Sequence, residues 1–201
     1  MLSRCHATLR EVDRALADFE FTRAATALHG FVWHDLADQY VELAKDALNG
    51  RRDGVDPAEF RSVLARVLHR TLRMLHPFVP HVTEELWHVV APTEGLLALA
   101  AWPGADEGDD DPVAEREMET VREAIRLLRN LRSEEKVPLG STPRAWVNPS
   151  DPAIGELLMR EAGTIVRAVR LASFERAGDG AGTDVARRVA PSGDYQLELP
   201  T

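Results

Sequence analysis

The sequence of 201 residues has a single cysteine, Cys5, and no long apolar run. One cysteine excludes an internal disulfide and is typical of a protein that works in a reducing cytoplasm. No stretch approaches the roughly 20 apolar residues of a membrane span, and Arg4, Arg10 and Arg14 interrupt the segment where a signal peptide would need an apolar core. The sequence therefore predicts a cytoplasmic protein that does not interact with a membrane.

The sequence also lacks the short motifs that mark common catalytic sites. It contains no Gly-rich phosphate loop, no Cys-x-x-Cys, no His-Glu-x-x-His and no Gly-x-Ser-x-Gly. The seven histidines are scattered, whereas a metal site needs three or four converging donors. Glu84 and Glu85 are adjacent and therefore point to different sides of a helix, which disfavours a carboxylate pair. We predict no catalytic residue, no metal site and no cofactor bound by this chain.

Negative charge is in excess, since 33 acidic residues stand against 24 basic ones and the formal net charge is −9. This balance argues against a dedicated nucleic-acid binder, whose surface is usually basic. The distribution is uneven, however, because residues 105–119 hold eight acids and one arginine. A basic surface elsewhere in the chain is therefore compatible with the net charge.

Apolar periodicity predicts a helical bundle in the first two thirds of the chain. Apolar residues recur with helical spacing in residues 2–19 and 22–48, and Asp56-Pro57 is typical of a helix start. Pro77 is expected to end that helix, because it forces the preceding residue out of helical geometry. Two more helices are predicted at about 80–90 and 112–136. Residues 1–138 are therefore interpreted as a five-helix bundle.

The remaining residues change character. Pro138 and Pro143 bracket the change, and the pattern after them alternates between strand-like and helical stretches. We predict strands near 145–147, 169–174 and 195–199 and a helix over 152–167. The predicted fold is mainly α, with a helical bundle over residues 1–138 followed by a small α/β appendage over residues 139–201.

Basic residues form a stripe on the fifth predicted helix. At 100° per residue they fall within an arc of about 120° beside the apolar face. Guanidinium groups along one edge are suited to successive phosphates or to stacking on unpaired bases. The alternative is a solvated face that pairs with Glu119, Glu123 and Glu135 at helical spacing. The stripe consists of Arg122, Arg126, Arg129, Arg132 and Lys136.

Aromatic and basic residues also mix near the start of the chain. Single-stranded RNA loops are read by stacking on aromatic rings and by hydrogen bonds to splayed bases. A place in the core is the alternative for most of these rings, and Phe31 and Tyr40 fit a core face. The mixture consists of Phe19, Phe21, Arg23, Phe31, Trp33, Tyr40 and Lys45.

Several short motifs follow one another in a characteristic order. They are Phe31-Val32-Trp33-His34-Asp35-Leu36, Tyr40-Val41-Glu42-Leu43-Ala44-Lys45, His76-Pro77-Phe78-Val79-Pro80, Thr83-Glu84-Glu85-Leu86-Trp87, Ala101-Trp102-Pro103 and Arg129-Asn130-Leu131-Arg132-Ser133-Glu134. Together they resemble the anticodon-binding domain of the valine–tRNA ligase family of class I aminoacyl-tRNA synthetases. The resemblance covers residues 1 to about 138 well and the rest more loosely.

The resemblance implies a tRNA-binding domain that acts in protein biosynthesis. It would bind the anticodon stem-loop of a valine-accepting tRNA and support ATP-dependent aminoacylation by the full-length enzyme, without being catalytic alone. The family's catalytic motifs and its editing domain are missing from this sequence, so ATP would be used by the catalytic domain, which is a further expected partner. We therefore expect a C-terminal fragment or a detached module.

Charge and helix position select the residues expected to contact RNA, which are Arg4, Arg10, Arg14, Arg23, Lys45, Arg126, Arg129, Arg132 and Lys136. The alternative hypothesis is a stand-alone helical protein-interaction module, derived from a synthetase, that does not bind RNA. The net charge and the absence of the coiled coil expected at the end of the valine enzyme favour this alternative.

Overall fold

The computed structural model describes residues 1–41, 44–45, 48, 56–104, 110–178 and 185–199, except for the side chain of Gln39. The chain forms two compact units, Met1–Pro112 and Val113–Thr201. The described part of the first unit is helical, and the second combines helices with a four-stranded sheet. The predicted combination of a helical bundle with a small α/β part is confirmed. Among the described helices, none is both long and apolar enough to span a membrane.

The first unit begins with α1 (Leu2–Ala17) and α2 (Phe21–Gly30), and the latter continues in wider π-helical turns from Phe31 to Val41. Helices α3 (Pro57–Leu75) and α4 (Pro80–Val90) follow, and a short 3₁₀ turn spans Leu97–Leu99. The described residues of the predicted helix over 22–48 are therefore helical, but the helix type changes to π between Phe31 and Val41, and residues 44, 45 and 48 are α-helical again. The predicted loop at 49–54 lies outside the described residues.

Apolar faces of α1, α2 and α3 form the main core of the first unit. Cys5, Leu9 and Leu28 are buried there, and Val67 and Met74 of α3 lie fully buried against them. Cys5 is thus a core residue, as its place on the apolar stripe of α1 indicates. The spacing of these residues is that of a helix with one buried side, so periodicity in the sequence was sufficient to predict the core face.

The joint between α3 and α4 lies at the prolines, as predicted, but His76 keeps helical dihedral angles (φ −55°, ψ −41°), so the expectation that Pro77 forces it out of helical geometry is wrong. Pro77 instead lacks the N–H that would continue the helix. α3 ends at Leu75 and α4 begins at Pro80. The Thr83 hydroxyl donates to the carbonyl of Val79 at 2.9 Å, and Thr83 Oγ1 lies 2.9 Å from His76 Nδ1. The hydrogen bond between His76 and Thr83 joins the end of α3 to the first turn of α4.

The second unit contains α5 (Pro112–Glu134), β1 (Arg144–Pro149), α6 (Pro152–Arg160) and α7 (Ala162–Val169). Strands β2 (Ser173–Arg176), β3 (Val185–Ala190) and β4 (Gly193–Glu198) complete it. The strand order is β2-β1-β4-β3, in which β1 and β2 are parallel and the other pairs are antiparallel.

Two details of this unit differ from the sequence-based expectation. The predicted helix over 152–167 is two helices that meet at Glu161. The predicted strand over 169–174 is wrong in its first half, because Val169 ends α7 and Arg170 has a left-handed backbone with φ of 60°. The strand β3 was not predicted from the sequence.

The core of the second unit includes α5. Val121 and Leu128 of α5 lie in one buried cluster with Val147 of β1, Ile165 of α7 and Tyr195 of β4. The division into compact units at 112/113 therefore differs from the predicted boundary at 138 by the length of this helix. The boundary at 138 stays a prediction about the extent of the anticodon-binding domain.

Candidate nucleic-acid interface

The three predicted arginines of α1 have different surroundings. Arg4 Nη2 lies 3.0 Å from Asp35 Oδ2, and Arg10 Nη1 lies 2.5 Å from Asp110 Oδ2. Arg14 is exposed and makes no ion pair with a described residue. Both paired guanidinium groups keep more than a third of their side-chain surface in solvent. Among these residues, Arg14 is the one presented without a carboxylate beside it.

Asp110 brings part of the acidic segment onto α1. Its second carboxylate oxygen lies 2.9 Å from Nδ1 of the buried His6. The hydrogen bond from Arg10, with a smaller contribution from His6, holds the pKa of Asp110 below its ordinary value. This carboxylate therefore stays ionised to lower pH, and it compensates the charge of Arg10 where RNA was expected to bind.

Arg23 and Lys45 lie on the second helical segment. Arg23 Nη1 donates to Glu20 Oε2 at 2.9 Å and its Nε lies 3.7 Å from Glu11. The hydrogen bond to Glu20 raises the pKa of Arg23 further above its ordinary range. Lys45 is exposed. Arg23 is thus a cation that lies beside two glutamates.

The aromatic residues of this region divide into two groups. Phe31 is buried in the core and Tyr40 stacks on Phe60 with ring centroids 6.0 Å apart, which confirms the core interpretation for both. Phe19 and Phe21 are exposed, meet edge to face at 6.3 Å, and line an open depression of about 670 Å³.

The basic stripe on α5 is only partly presented to solvent. Arg126 and Lys136 are exposed and have no ion pair among the described residues. Arg129 is exposed but donates from Nε and Nη2 to the carbonyl of Ala168, at 3.2 and 2.9 Å. Arg122 lies 3.6 Å from Glu119, as the solvated-face alternative predicts.

Arg132 has a structural role that the sequence did not reveal. Its side chain is buried, and only 8% of the residue surface remains exposed. Nη1 donates to the carbonyls of Val169 and Arg170 at 2.6 and 2.7 Å, and Nη2 donates to those of Pro138 and Ser141 at 3.0 and 3.1 Å. Since both terminal nitrogens are occupied by backbone oxygens, Arg132 is not available to a phosphate. The guanidinium instead closes the C-terminal end of α7 and the turn after α5.

Arginines also recur along α3, and the sequence-based selection did not include them. Residues 60–83 contain four arginines and three histidines but no acidic residue. Arg66, Arg70 and Arg73 recur at positions i, i+4 and i+7, so they lie along one side of α3. We call these three residues the α3 ridge. The gap in acidic residues was the signal that could have revealed it.

Trp87 holds one end of the α3 ridge in place. Trp87 is fully buried. The centroid of its ring lies 4.5 Å from the centroid of the His69 ring and 5.7 Å from the guanidinium carbon of Arg73. Arg73 Nη2 lies 2.9 Å from His69 Nδ1, while His69 Nε2 lies 3.0 Å from Glu94 Oε2. His69 therefore accepts from Arg73 and donates to Glu94.

In the described parts of the chain, no group of three or more histidine, cysteine, aspartate or glutamate side chains is arranged to hold a metal ion. The candidate ligand-binding groups among the described residues are the basic side chains on α1, α3 and α5. Such groups suit the phosphates of a nucleic acid, which position a ligand without reading its sequence.

Comparison with known proteins gives a consistent result. Residues 1–145 match the family model described as the anticodon-binding domain of tRNA ligase. The chain is 34% identical over its full length to a valine–tRNA ligase of Bacillus licheniformis, where it covers 22% of that protein. It is 38% identical over 168 residues to the valine–tRNA ligase of Listeria monocytogenes, which is 83% of this chain and 19% of that protein. The chain thus spans about a fifth of the length of these relatives.

Proposed function

The chain belongs to the family of anticodon-binding domains of tRNA ligases, and we propose that it binds the anticodon stem-loop of a valine-accepting tRNA. The observation that carries this proposal is the family match over residues 1–145. The choice of valine is supported by the similarity to valine–tRNA ligases over 83% to 100% of the chain. Within such an enzyme, the domain supports valyl-tRNA formation by positioning tRNA, while the chemistry and the use of ATP belong to a catalytic domain that is its partner. We place this activity in the cytoplasm.

The proposed contacts are made by cations that reach solvent. Guanidinium and ammonium groups bind phosphate oxygens through charge-assisted hydrogen bonds. Arg4, Arg10 and Arg23 share their charge with carboxylates, so we expect each to contribute less than an unpaired cation. Arg132 is left out because its nitrogens are occupied. The other members of the predicted set are all exposed, and they are Arg14, Lys45, Arg126, Arg129 and Lys136.

The test is an equilibrium titration of the 201-residue chain with an in vitro transcribed valine tRNA at about 50 mM and about 200 mM salt. Three phosphate contacts predict a loss of affinity of roughly 20- to 40-fold between these conditions, because each contact releases counterions. A tRNA for another amino acid serves as the control for selectivity and should bind more weakly. If the folded chain fails to bind valine tRNA at the lower salt concentration, the proposal is wrong.

A protein-interaction module without RNA binding is the second candidate, and one observation favours it. Val82, Leu86 and Val89 form an exposed apolar stripe on α4 at helical spacing, and the exposed Val79 precedes the helix, while Trp87 on the neighbouring side is buried. A helix with an uncovered apolar stripe is suited to packing against another protein. The same titration separates the two candidates, since this one predicts no affinity for tRNA at either salt concentration.

A further inference from the structure

The four-stranded sheet of the second unit has one face that points away from the core cluster. Val147 of β1 and Tyr195 of β4 lie in that cluster with residues of α5, α6 and α7. Successive side chains of a strand point to opposite faces of the sheet, so Trp146 and Gln196 point away from the cluster. We call the side of the sheet that carries these two residues the open face.

Strand register places four side chains of the open face in one row. Trp146 lies between Glu175 of β2 and Gln196 of β4, and Gln196 is followed by Arg187 of β3. The outer residues Glu175 and Arg187 are exposed, whereas Trp146 and Gln196 are each only 6% exposed. The row thus has a buried centre between two flexible, charged side chains that reach solvent.

The guanidinium group of Arg144 lies over the Trp146 ring, with its central carbon 5.5 Å from the ring centroid. Arg144 precedes Trp146 by two positions on β1, so it belongs to the same face. Its Nε and Nη2 donate to Glu198 Oε1 at 3.3 and 2.9 Å. These contacts fix the guanidinium, although 58% of the side-chain surface remains in solvent. A fixed planar guanidinium is a good surface for the stacking of another flat group.

Three buried oxygen atoms of the open face have no hydrogen-bond partner among the described residues. They are Ser173 Oγ, Asp194 Oδ1 and Gln196 Oε1. Ser173 is aligned with Arg144, and Asp194 precedes Gln196 by two positions, which places all three on this face. Buried polar groups are rarely unpaired, because nothing replaces the hydrogen bonds that they lose to water. Their concentration on one face points to a ligand that supplies the missing partners.

The unpaired oxygens require a ligand that donates hydrogen bonds. The carboxylate of Asp194 and the amide oxygen of Gln196 accept hydrogen bonds, and neither group of atoms donates one. The two residues lie about 7 Å apart along β4, and Gln196 adjoins Trp146 in the row. A flat ring with N–H groups on its edge meets these conditions, because it stacks on Arg144 while its edge faces β4. Nucleobases are such rings.

The charges of the open face favour a base over a phosphate backbone. Within the strands, its acidic residues are Glu175, Asp194 and Glu198, and its basic residues are Arg144 and Arg187. A surface with more acidic than basic groups does not attract a polyanion. Nucleobases are uncharged, and they stack through the π-face of the ring. The open face is therefore suited to the ring of a nucleotide and not to a succession of phosphates.

We propose that the open face binds a nucleobase, which stacks on the Arg144 guanidinium and donates hydrogen bonds to Gln196 and Asp194. Glu175 and Arg187 turn outward to admit the ring. Guanine fits best because its N1–H and its N2 amino group are adjacent donors, whereas uracil has one N–H between two carbonyl oxygens. The base belongs to a free nucleotide or to an unpaired nucleotide of RNA, since both present the same ring. The site lies mostly beyond residue 145, where the family match ends, so it is distinct from the proposed binding of the anticodon stem-loop.

The test is a titration of the isotope-labelled full chain with guanosine and uridine monophosphates, followed by NMR spectroscopy. The signals of the Trp146 indole N–H and the Gln196 side-chain amide report binding at the open face. We expect guanosine monophosphate to bind saturably and roughly tenfold or more tightly than uridine monophosphate, because uracil leaves an acceptor of the site unpaired. The affinity should change little between about 50 mM and about 200 mM salt, because base contacts do not release counterions.

Short RNAs then identify the source of the base. The tetranucleotides UGUU and UUUU are titrated in the same way, and UGUU should bind more tightly than UUUU. If UGUU also binds more tightly than guanosine monophosphate, the ligand is RNA. If the two bind equally, the ligand is a free nucleotide.

Two matched variants test the stacking contact. Arg144→Gln removes the guanidinium that stacks, and Arg160→Gln removes an arginine whose side chain is also 58% exposed and paired with a glutamate. Loss of stacking should weaken the binding of guanosine monophosphate by roughly fivefold or more, whereas Arg160→Gln should leave it unchanged. Arg144→Lys keeps the charge but not the plane, so it should not restore binding.

A third variant tests the unpaired oxygen. Gln196→Met removes the amide but keeps the length of the side chain. It should weaken the binding of guanosine monophosphate roughly tenfold, because one acceptor of the site is lost. Its melting temperature should be unchanged or higher, because a buried unpaired group is removed from the folded chain. A residue with a structural role alone would not combine these two results.

Equal affinities for the guanine and uracil nucleotides would overturn this inference, and so would the absence of saturable binding by the folded, unmodified chain. Equal losses in Arg144→Gln and Arg160→Gln, or full binding by Arg144→Lys, would also overturn it, because they would reflect charge alone. The titration with valine tRNA is independent of these measurements. Its failure would leave the nucleobase site standing, and failure of nucleotide binding would leave the proposed anticodon binding standing.

Discussion

Arg132 shows how an arginine within a basic stripe can belong to the fold. It lies less than two helical turns from Arg126 along α5. Arg126 is nevertheless exposed, whereas Arg132 is buried among four carbonyl oxygens. The spacing of the two residues on α5 does not distinguish these roles. The turn at 138–141 and the end of α7 decide them, because these segments bring their carbonyls to Arg132 and not to Arg126.

We predict that Arg132→Ala destabilises the second unit by roughly 3 kcal/mol or more, because buried carbonyls lose a charged donor and are left unpaired. Arg126→Ala is the control, and it should change the free energy of unfolding by less than about 0.5 kcal/mol. Denaturant unfolding followed by circular dichroism measures both. Equal and small effects of the two substitutions would contradict the role assigned to Arg132.

Phe19 lies at a position that suits glycine. Its φ is 59°, its amide donates to Leu16 and the next amide, of Glu20, donates to Ala15, which is the hydrogen-bond pattern of a Schellman helix end. An L-residue is strained in this left-handed conformation. Packing of the side chain offsets little of this strain, because 78% of the residue surface is exposed.

We therefore expect Phe19→Gly to stabilise the first unit by roughly 0.5–1 kcal/mol, which raises its melting temperature by a few degrees. Phe21→Gly is the matched control: it removes the same side chain from the start of α2 and should destabilise, because glycine weakens a helix without relieving strain there. Thermal unfolding of the two variants tests this. A lower melting temperature for Phe19→Gly would show that the aromatic contact with Phe21 outweighs the strain.

At the scale of helices and strands, periodicity in the sequence was sufficient to predict the regular elements, but it did not predict the irregular ones. The ends of α3 and the start of α4 follow from Pro57, Pro77 and Pro80, because proline fixes its own φ and has no N–H to donate. The π-helical turns after Gly30 and the break at Glu161 leave no comparable mark in the sequence. Their energies depend on packing against other elements, which a local pattern does not contain.

Helix α4 is anchored to α3 by one residue. Trp87 is fully buried and contacts His69 and Arg73 of α3. We predict that Trp87→Ala destabilises the first unit by about 3–5 kcal/mol, the usual range for removing a buried large aromatic side chain. Leu86→Ala is the control, since its neighbouring side chain on the exposed stripe should tolerate truncation at a cost below about 1 kcal/mol. Comparable losses of unfolding free energy in the two variants would contradict the anchoring role.

At the scale of the whole chain, the two units have separate cores. The buried cluster of the second unit draws its residues from α5, the sheet and helices α6 and α7, whereas the clusters of the first unit lie within residues 1–112. A unit that contains its own core is able to fold independently. The second folding unit therefore begins with α5.

We predict that a fragment of residues 113–201 folds alone and unfolds cooperatively, because it retains Val121 and Leu128 with the sheet. A fragment of residues 139–201, which begins after the boundary predicted from the sequence, should not fold, because one side of its core is removed with α5. Circular dichroism and the dispersion of amide proton signals in NMR spectra distinguish the outcomes. Cooperative unfolding of the shorter fragment would contradict this prediction.

The sequence by itself determined the family, the helical bundle and its core faces. These properties depend on ordered motifs and on apolar spacing, which are local and survive without coordinates. The tertiary structure alone decided which of the predicted cations are paired or buried. Arg4 pairs with Asp35, Arg10 pairs with Asp110 and Arg132 bonds to Val169, and these contacts join residues that are far apart in the chain. The same long-range contacts placed Trp87 of the family motif beneath His69 and Arg73.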